Sequence, residues 1–397
     1  MMLDSFSGSS QLKAVPIADL VDDVSTRNPS QAEPDLLFTY IDLSAVDQEH
    51  KTIIAAKRVL GAEAPSRARQ VVRAGDVLVS TVRPNLNGVA VVPEEYDDAI
   101  ASTGFCVLRP RKGRLDSSFL FHWVRSALFV DRMVQQATGA SYPAVSDGIV
   151  RKSVIPAPPL SEQRRIAAIL DQADALRSKR RAALAQLDEM AQAIFVEMFG
   201  DPVTNALGLP LKPLGDLGDL ERGVSKHRPR NDPTLLNGPY PLVQTGDIAK
   251  CHGYIRKYSS TYSEVGLRQS RLWPKGTLCI TIAANIGKTG ILDFEGCFPD
   301  SVVGFTPGPL VRTEYVQIWM SFIQRTLEDG APQSAQKNIN LAILRDLSIP
   351  LASIGLQDKF VKRLACVDRL KISYQQHSVK LDALFTSIQH RAFRGEL

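Results

Sequence analysis

The chain has 397 residues, 44% of them hydrophobic and 22% charged, with a formal charge of +5. That is enough for roughly two to four globular domains, and too mild a basic excess to establish a polyanion partner on its own. No run of about 18 apolar residues occurs, so no membrane span is expected, and five scattered cysteines without a C-x-x-C pair argue against disulfides or zinc and for a reducing cytoplasm.

The opening MMLDSFSGSS has neither the basic start nor the apolar core of a secretory signal and reads as a disordered lead-in. Residues 1–158 then read as one mixed domain. LFTYIDLSAV (37–46), GDVLVSTVR (75–83), GVAVVP (88–93) and GFCVLRP (104–110) are rich in strand formers and bounded by Gly and Pro. SSFLFHWVRSALFVDRMVQQA (117–137) has helical spacing, with His122 among aromatics as a packed core residue. A proline junction at 156–159 closes this region.

Residues 159–200 form the most regular stretch of the chain. Ser161 is a candidate N-cap, and Gly200 and Pro202 stop the helix. One heptad position reads Ile166, Ala173, Arg180, Leu187, Ile194, and a second reads Ile169, Leu176, Ala183, Met190. Such a seam buries little unless a second helix lies against it.

That partner is in the same chain. A shift of 194 carries Ile155-Pro156 onto Ile349-Pro350, Gln163 onto Gln357, Leu187-Asp188 onto Leu381-Asp382, and Phe199 onto Phe393. The matching seam of residues 353–397 includes Leu370, Leu381, Leu384 and Ile388, and His377 falls on it. Residues 201–352 repeat the first domain loosely: YPLVQTGDI (240–248) answers the 37–46 strand, 275–292 answers 74–92, and EYVQIWMSFIQRTLE (314–328) answers the Trp123 helix. The chain therefore reads as two copies of one unit, a mixed α/β domain followed by a long helix.

No catalytic constellation emerges. Gly287-Lys288-Thr289 resembles the end of a phosphate loop, but Ile282 stands where that loop needs its first Gly. Asn237-Gly238-Pro239-Tyr240 reads as a turn before a strand, since no Gly-rich cofactor motif precedes it. The loops after strands suit base readout better. They offer Arg83, Asn85 and Asn87, then Asn285, Lys288 and Thr289, then Gln333, Gln336, Lys337 and Asn338. Arg pairs with guanine and Asn or Gln with adenine in the major groove, while Lys fixes register on phosphates. Lys226 and Arg228 belong to a basic stretch that suits the backbone. Asn and Gly at such places also simply make turns.

Three stretches together resemble the DNA specificity subunits of type I restriction–modification enzymes. They are Pro158-Pro159-Leu160-Ser161-Glu162-Gln163 running into the helix that ends Met198-Phe199-Gly200, Gln336-Lys337-Asn338-Ile339 followed by Ile349-Pro350, and the terminal Ala392-Phe393-Arg394-Gly395-Glu396-Leu397. Ser141-Tyr142-Pro143-Ala144-Val145 occupies the place of the second stretch in the first domain, which adds Tyr142 to the DNA candidates.

The resemblance implies a mixed α+β protein with an internal pseudo-two-fold repeat. Two target recognition domains (1–158 and 201–352) would be separated by two long antiparallel helices (159–200 and 353–397) in a coiled coil. Each domain would read one half of an asymmetric bipartite site on double-stranded DNA. The subunit would be non-catalytic and would serve phage defence by directing adenine methylation and restriction. Its partners would be two methyltransferase subunits and restriction translocase–nuclease subunits, with S-adenosylmethionine, ATP and Mg on those partners only. A stand-alone DNA-binding or architectural protein, which would leave the outer helix faces without a role, and a DNA-modification enzyme, which would need a cofactor loop, are the alternatives.

Overall fold

The computed structural model describes residues 13–283, 285–329 and 339–397. The lead-in and Gln333, Gln336, Lys337 and Asn338 lie outside the described residues. The chain divides into two compact units, one running to Arg180 and including His377–Leu397, the other spanning Arg181–Gln376.

The first unit holds two four-stranded sheets. In one, Val21–Asp22, Phe105–Pro110, Val77–Ser80 and Val89–Val91 lie side by side, all antiparallel. In the other the order is Lys57–Leu60, Leu37–Ile41, Ile100–Ser102, Ala68–Val71, with the middle pair parallel. The run Val77-Leu78-Val79 is apolar throughout because both of its faces are covered. Val77 and Val79 join a core with Phe119 and Trp123, while Leu78 faces a second core with Phe105 and Val107. The expected helix over 117–137 is two helices, Ser117–Val124 and Ala127–Gln136. Ser126 makes the break: its hydroxyl donates to the Trp123 carbonyl and accepts from the Phe129 amide.

The second unit builds one five-stranded sheet in the order Gly218–Arg222, Val302–Pro307, Leu278–Thr281, Thr289–Leu292, Tyr254–Ile255. Its helix Thr313–Asp329 is unbroken. The expected strand over 240–248 is instead a strand at Leu236–Leu242 followed by a short helix, Thr245–Ala249. The side chains of Gln244 and Asp247 form a reciprocal capping box that starts a helix there. Asn237, at φ 63°, falls inside that strand, where the register against Ser260–Tyr262 shifts, and not in a turn before it.

The long helices run continuously over Leu160–Phe199 and Ile354–Ala392. Ser161 lies inside the first turn; the backbone carbonyl of Pro159 receives the Glu162 and Gln163 amides. Gly200, at φ +74°, ends the helix by giving its amide to the Val196 carbonyl. Within each unit the two segments pair antiparallel. In the first, Arg177 Nε reaches Asp382 at 2.6 Å and Arg165 donates to the Leu397 carbonyl at 3.0 Å. In the second, Arg363 meets Glu197 at 2.8 Å and Lys371 meets Asp188 at 2.7 Å.

One flank of the seam needs correction. Ile166, Leu187 and Ile194 are buried as expected, and Leu381 and Ile388 are half-buried. The other flank is Leu170, Leu184 and Ala191, not Leu176 and Met190, while Ile169 is half-buried like Leu184. Leu176 is 54% exposed, Met190 46%, Leu370 49% and Leu384 53%, and His377 is exposed. Apolar residues recur at both three and four residues' spacing, so a heptad read from sequence fixes one edge of the stripe and leaves the other ambiguous.

The helix segments belong to the domain cores. Phe393 meets Phe119 and Trp123 edge-on at 5.4 and 5.0 Å, and Phe199 meets Tyr315 and Phe360 likewise at 4.9 and 5.2 Å. The repeated glutamine ties domain to helix in each unit. Buried Gln163 accepts from the Asp116 amide and donates to the Arg114 and Pro158 carbonyls. Gln357 does the same with Arg312, Leu310 and Ala352. This explains why a residue off the seam is matched in both copies.

Candidate nucleic-acid interface

In the first unit the loop after Val77–Ser80 is locked from both sides. The Thr81 amide and hydroxyl both donate to the Gly104 carbonyl, and the Val145 amide donates to the Thr81 carbonyl. Arg83 gives its amide to the Pro143 carbonyl at 2.7 Å. Arg83 and Asn87 take left-handed backbone angles, φ 50° and 47°, around the turn Pro84–Leu86. Non-glycine residues adopt that conformation at a cost, so surrounding bonds must hold them there.

This frame brings Arg83 under Tyr142. The guanidinium carbon lies 4.6 Å from the ring centroid, and Tyr142 is 67% exposed. Stacking fixes the guanidinium plane and leaves its N–H edges open, the geometry a base edge or phosphate requires. No ion pair among the described residues occupies Arg83. Asn85 is exposed beside it. Arg67 is exposed as well, and its carbonyl accepts from the Thr103 amide next to Gly104.

Asn87 faces the other way. It is half-buried, and its side-chain amide donates to the Val124 carbonyl at 2.9 Å. Its own carbonyl receives the Lys51 ammonium at 2.5 Å. Burial, and then the nearby Arg125 charge, push the Lys51 ammonium down to about 8. Asn87 thus braces the loop against the helix end.

In the second unit the comparable sheet end brings Ile282 and the basic 222–230 segment together. Ile282 and Gly223 donate their amides to the Ser301 and Val302 carbonyls. Neighbouring Asp300 pairs with both Arg228, at 3.3 Å, and Arg230. Arg228 also donates to the Ser225 and His227 carbonyls, so its guanidinium is committed to its own loop. Among the described residues Lys226 is anchored through its backbone amide to Gln269, and its ammonium is exposed. Asn285, at φ 55°, is exposed.

Lys288 and Thr289 lie elsewhere: both are half-buried and line a cleft against the domain helix and the long-helix segments. The Gly287 amide is spent on the Thr281 carbonyl, which further disfavours a phosphate loop there. Arg83, Asn85 and Tyr142 in one unit, and Lys226 and Asn285 in the other, are therefore the expected contacts that the fold presents with uncommitted side chains. Among the described residues no group of three or more His, Cys, Asp or Glu could hold a metal, and no helix is long and apolar enough to cross a membrane.

The family described as the type I restriction modification DNA specificity domain matches residues 67–186 and 211–380, one match in each half of the repeat. The chain belongs to that family. It is similar to the specificity subunit of the type I restriction enzyme EcoBI from Escherichia coli, 23% identical over 339 residues, covering 76% of this chain and 70% of the relative. It is also similar to the putative MjaX specificity subunit from Methanocaldococcus jannaschii, 20% identical over 312 residues, covering 75% and 72%. Among solved structures, a chain described in terms of complex assembly and conformational transition of the type I R-M system matches with 26% identity and a TM-score of 0.59, covering 99% of this chain and all of that one. The S subunit from M. genitalium, 14% identical, shares the fold with a TM-score of 0.54 over 98% of both chains. DNA sequence specificity within a type I restriction–modification system is thus this family's role and this chain's.

Proposed function

We propose that the chain reads an asymmetric, bipartite double-stranded DNA site, one half per unit, as a non-catalytic cytoplasmic subunit. The observation that carries this reading is the contrast between the two sheet ends. The first unit presents a stacked Arg83–Tyr142 pair with Asn85, whereas the second presents Asn285 on the loop that answers 81–88 and Lys226 on its basic 222–230 segment. Different side chains offer different donor and acceptor patterns, so two unlike half-sites follow. Lys226, and Arg230 once released from Asp300, suit phosphates.

The apolar helix residues found exposed, Leu176, Met190, Leu370 and Leu384, supply a partner surface. The ion-pair register puts Leu176 level with Leu384 in the first unit, and Met190 level with Leu370 in the second. Each unit thereby carries one apolar pair on its helices, which favours two methyltransferase subunits, one per unit. S-adenosylmethionine is expected on those subunits, and ATP and Mg on restriction translocase–nuclease partners.

The test has two arms. The purified chain with S-adenosylmethionine and DNA should transfer no methyl group. With its methyltransferase subunit, adenine methylation should map to one interrupted sequence with unlike halves. Methylation by the chain alone, or a palindromic site, overturns the reading.

A further inference from the structure

The second unit contains a cleft of about 590 Å³ between the helix Thr313–Asp329, the turns at 248–254 and 287–289, and the two long-helix segments. The repeat identifies what it lacks. The shift of 194 pairs Ala191 with Phe385, Asp368 with Asp174, and Lys371 with Arg177. Matching Tyr315 with Phe119 and Trp319 with Trp123 pairs Gln317 with Phe121 and Ser321 with Arg125.

In the first unit these counterparts fill the space. Arg177 lies over the Phe385 ring at 4.4 Å, and Arg125 lies 4.7 Å from Phe121 and 5.6 Å from Phe385. Asp174 holds both guanidiniums at 2.8 Å. In the second unit the polar frame persists: Lys371 reaches Asp188 as Arg177 reaches Asp382. The filling side chains are replaced by shorter ones, and Ala191, Gln317 and Ser321 line the opening. Room is left where the first unit seats a phenyl ring under two cations.

The wall also has a spare positive charge. Asp188 is taken by Lys371 and His252 and Asp368 by Arg256, while Glu314 holds only the neutral Tyr254 hydroxyl and keeps its charge unpaired. Lys288 and Arg369 have no ion pair among the described residues, so two cations of the wall face one uncompensated carboxylate. Arg369 and Lys371 on the rim flank Leu370, so the cleft is continuous with the apolar pair proposed for partner docking.

We infer that the cleft of the second unit receives an aromatic side chain flanked by a carboxylate, carried by the methyltransferase subunit. This rests on the partner reading above. It makes the two partner sites unequal: one copy is anchored in the cleft, and the other meets a site already filled by Phe385. The first-formed complex should therefore hold a single methyltransferase subunit, seated on the second unit.

Two variants on different elements test this, Ala191→Phe and Gln317→Phe, each installing the residue found in the first unit. Native mass spectrometry titrates the wild-type and variant chains with the methyltransferase subunit, with thermal unfolding as the folding control. The wild-type chain should bind two copies in two steps. Each variant should keep the weaker step and lose about 30-fold in the tighter one, the worth of one buried aromatic. Unchanged binding of both copies by two folded variants overturns the inference. So does self-association of the wild-type chain that both variants abolish, since the cleft then takes a second copy of this chain. Failure of the wild-type chain to bind any methyltransferase subunit overturns the partner reading, and this inference falls with it.

Discussion

Replacing Arg83 by glycine should cost recognition while leaving stability nearly unchanged. Arg83 is exposed, its guanidinium has no ion pair among the described residues, and its backbone sits at φ 50°. A non-glycine residue there costs about 1 kcal/mol, which glycine recovers, less roughly 0.5–1 kcal/mol for the freer unfolded chain. The amide bond to Pro143 is kept. The stack on Tyr142, worth about 0.5–1 kcal/mol, is lost, so folding stability should fall by no more than about 1 kcal/mol. Recognition should lose about 1–3 kcal/mol, some 5- to 150-fold, at one half-site, the worth of a bidentate base contact. Tyr142→Ala should lose only the stacking share, about 0.5–1 kcal/mol. Competition binding with duplexes altered in one half or the other, at fixed salt, reads the effect after the methylated site has been mapped. Uniform weakening on every duplex would move Arg83 to the phosphates. A large loss of stability would mean that the left-handed turn is held by the side chain, contrary to the argument.

Asp300→Asn should tighten binding to all duplexes and steepen the salt dependence by about one phosphate equivalent, because it releases Arg230 while Arg228 stays bonded to the Ser225 and His227 carbonyls; an unchanged salt slope would show that Arg230 does not reach DNA. Gln163→Leu leaves the Asp116 amide and two carbonyls without their partner, and should cost about 2–4 kcal/mol in urea unfolding, with Gln357→Leu similar; a loss below about 1 kcal/mol would demote the clamp. Lys51 holds its proton less tightly folded, at about 8, than unfolded, at 10.5. Between those values the unfolded chain binds more protons, so stability should climb as pH rises from 8 towards 10.5. Lys51→Met should flatten that climb in thermal scans, and an identical pH profile would refute the assignment.

The long helices were legible because their signals are local: a glycine stop, proline junctions and sustained periodicity fix where each runs. The repeat was legible because it needs no geometry at all. What sequence could not supply was orientation. Asn87 and Asn85 look alike in a polar loop, yet one braces the Val124 carbonyl and the other faces solvent. Arg228 reads as a free cation until Asp300, 72 residues away, is seen beside it. Lys288 and Thr289 follow a strand like any reading loop, but the helix packed behind that strand turns them into a cleft wall. The break at Ser126 had a detectable signal, a serine three residues ahead of Phe129, which the continuous apolar face concealed.

The residues that the repeat preserves and those it changes fall in different places. Gln163 and Gln357, Phe199 and Phe393, and the paired Trp123 and Trp319 all join a domain to its helix segments. The residues that differ lie at the sheet ends and around Phe385 and its counterpart Ala191. A protein duplicated only for stability would have no reason to vary its sheet ends so sharply while holding the domain–helix joints constant. A constant mount for each domain with a variable edge is what a reader of unlike DNA halves needs. Exchanging residues 81–88 and 138–145 for their counterparts from the second unit should then alter the half-site read by the first unit while leaving partner stoichiometry intact. A chimera that lost the partner but kept its sequence preference would place the mount and the edge the other way round.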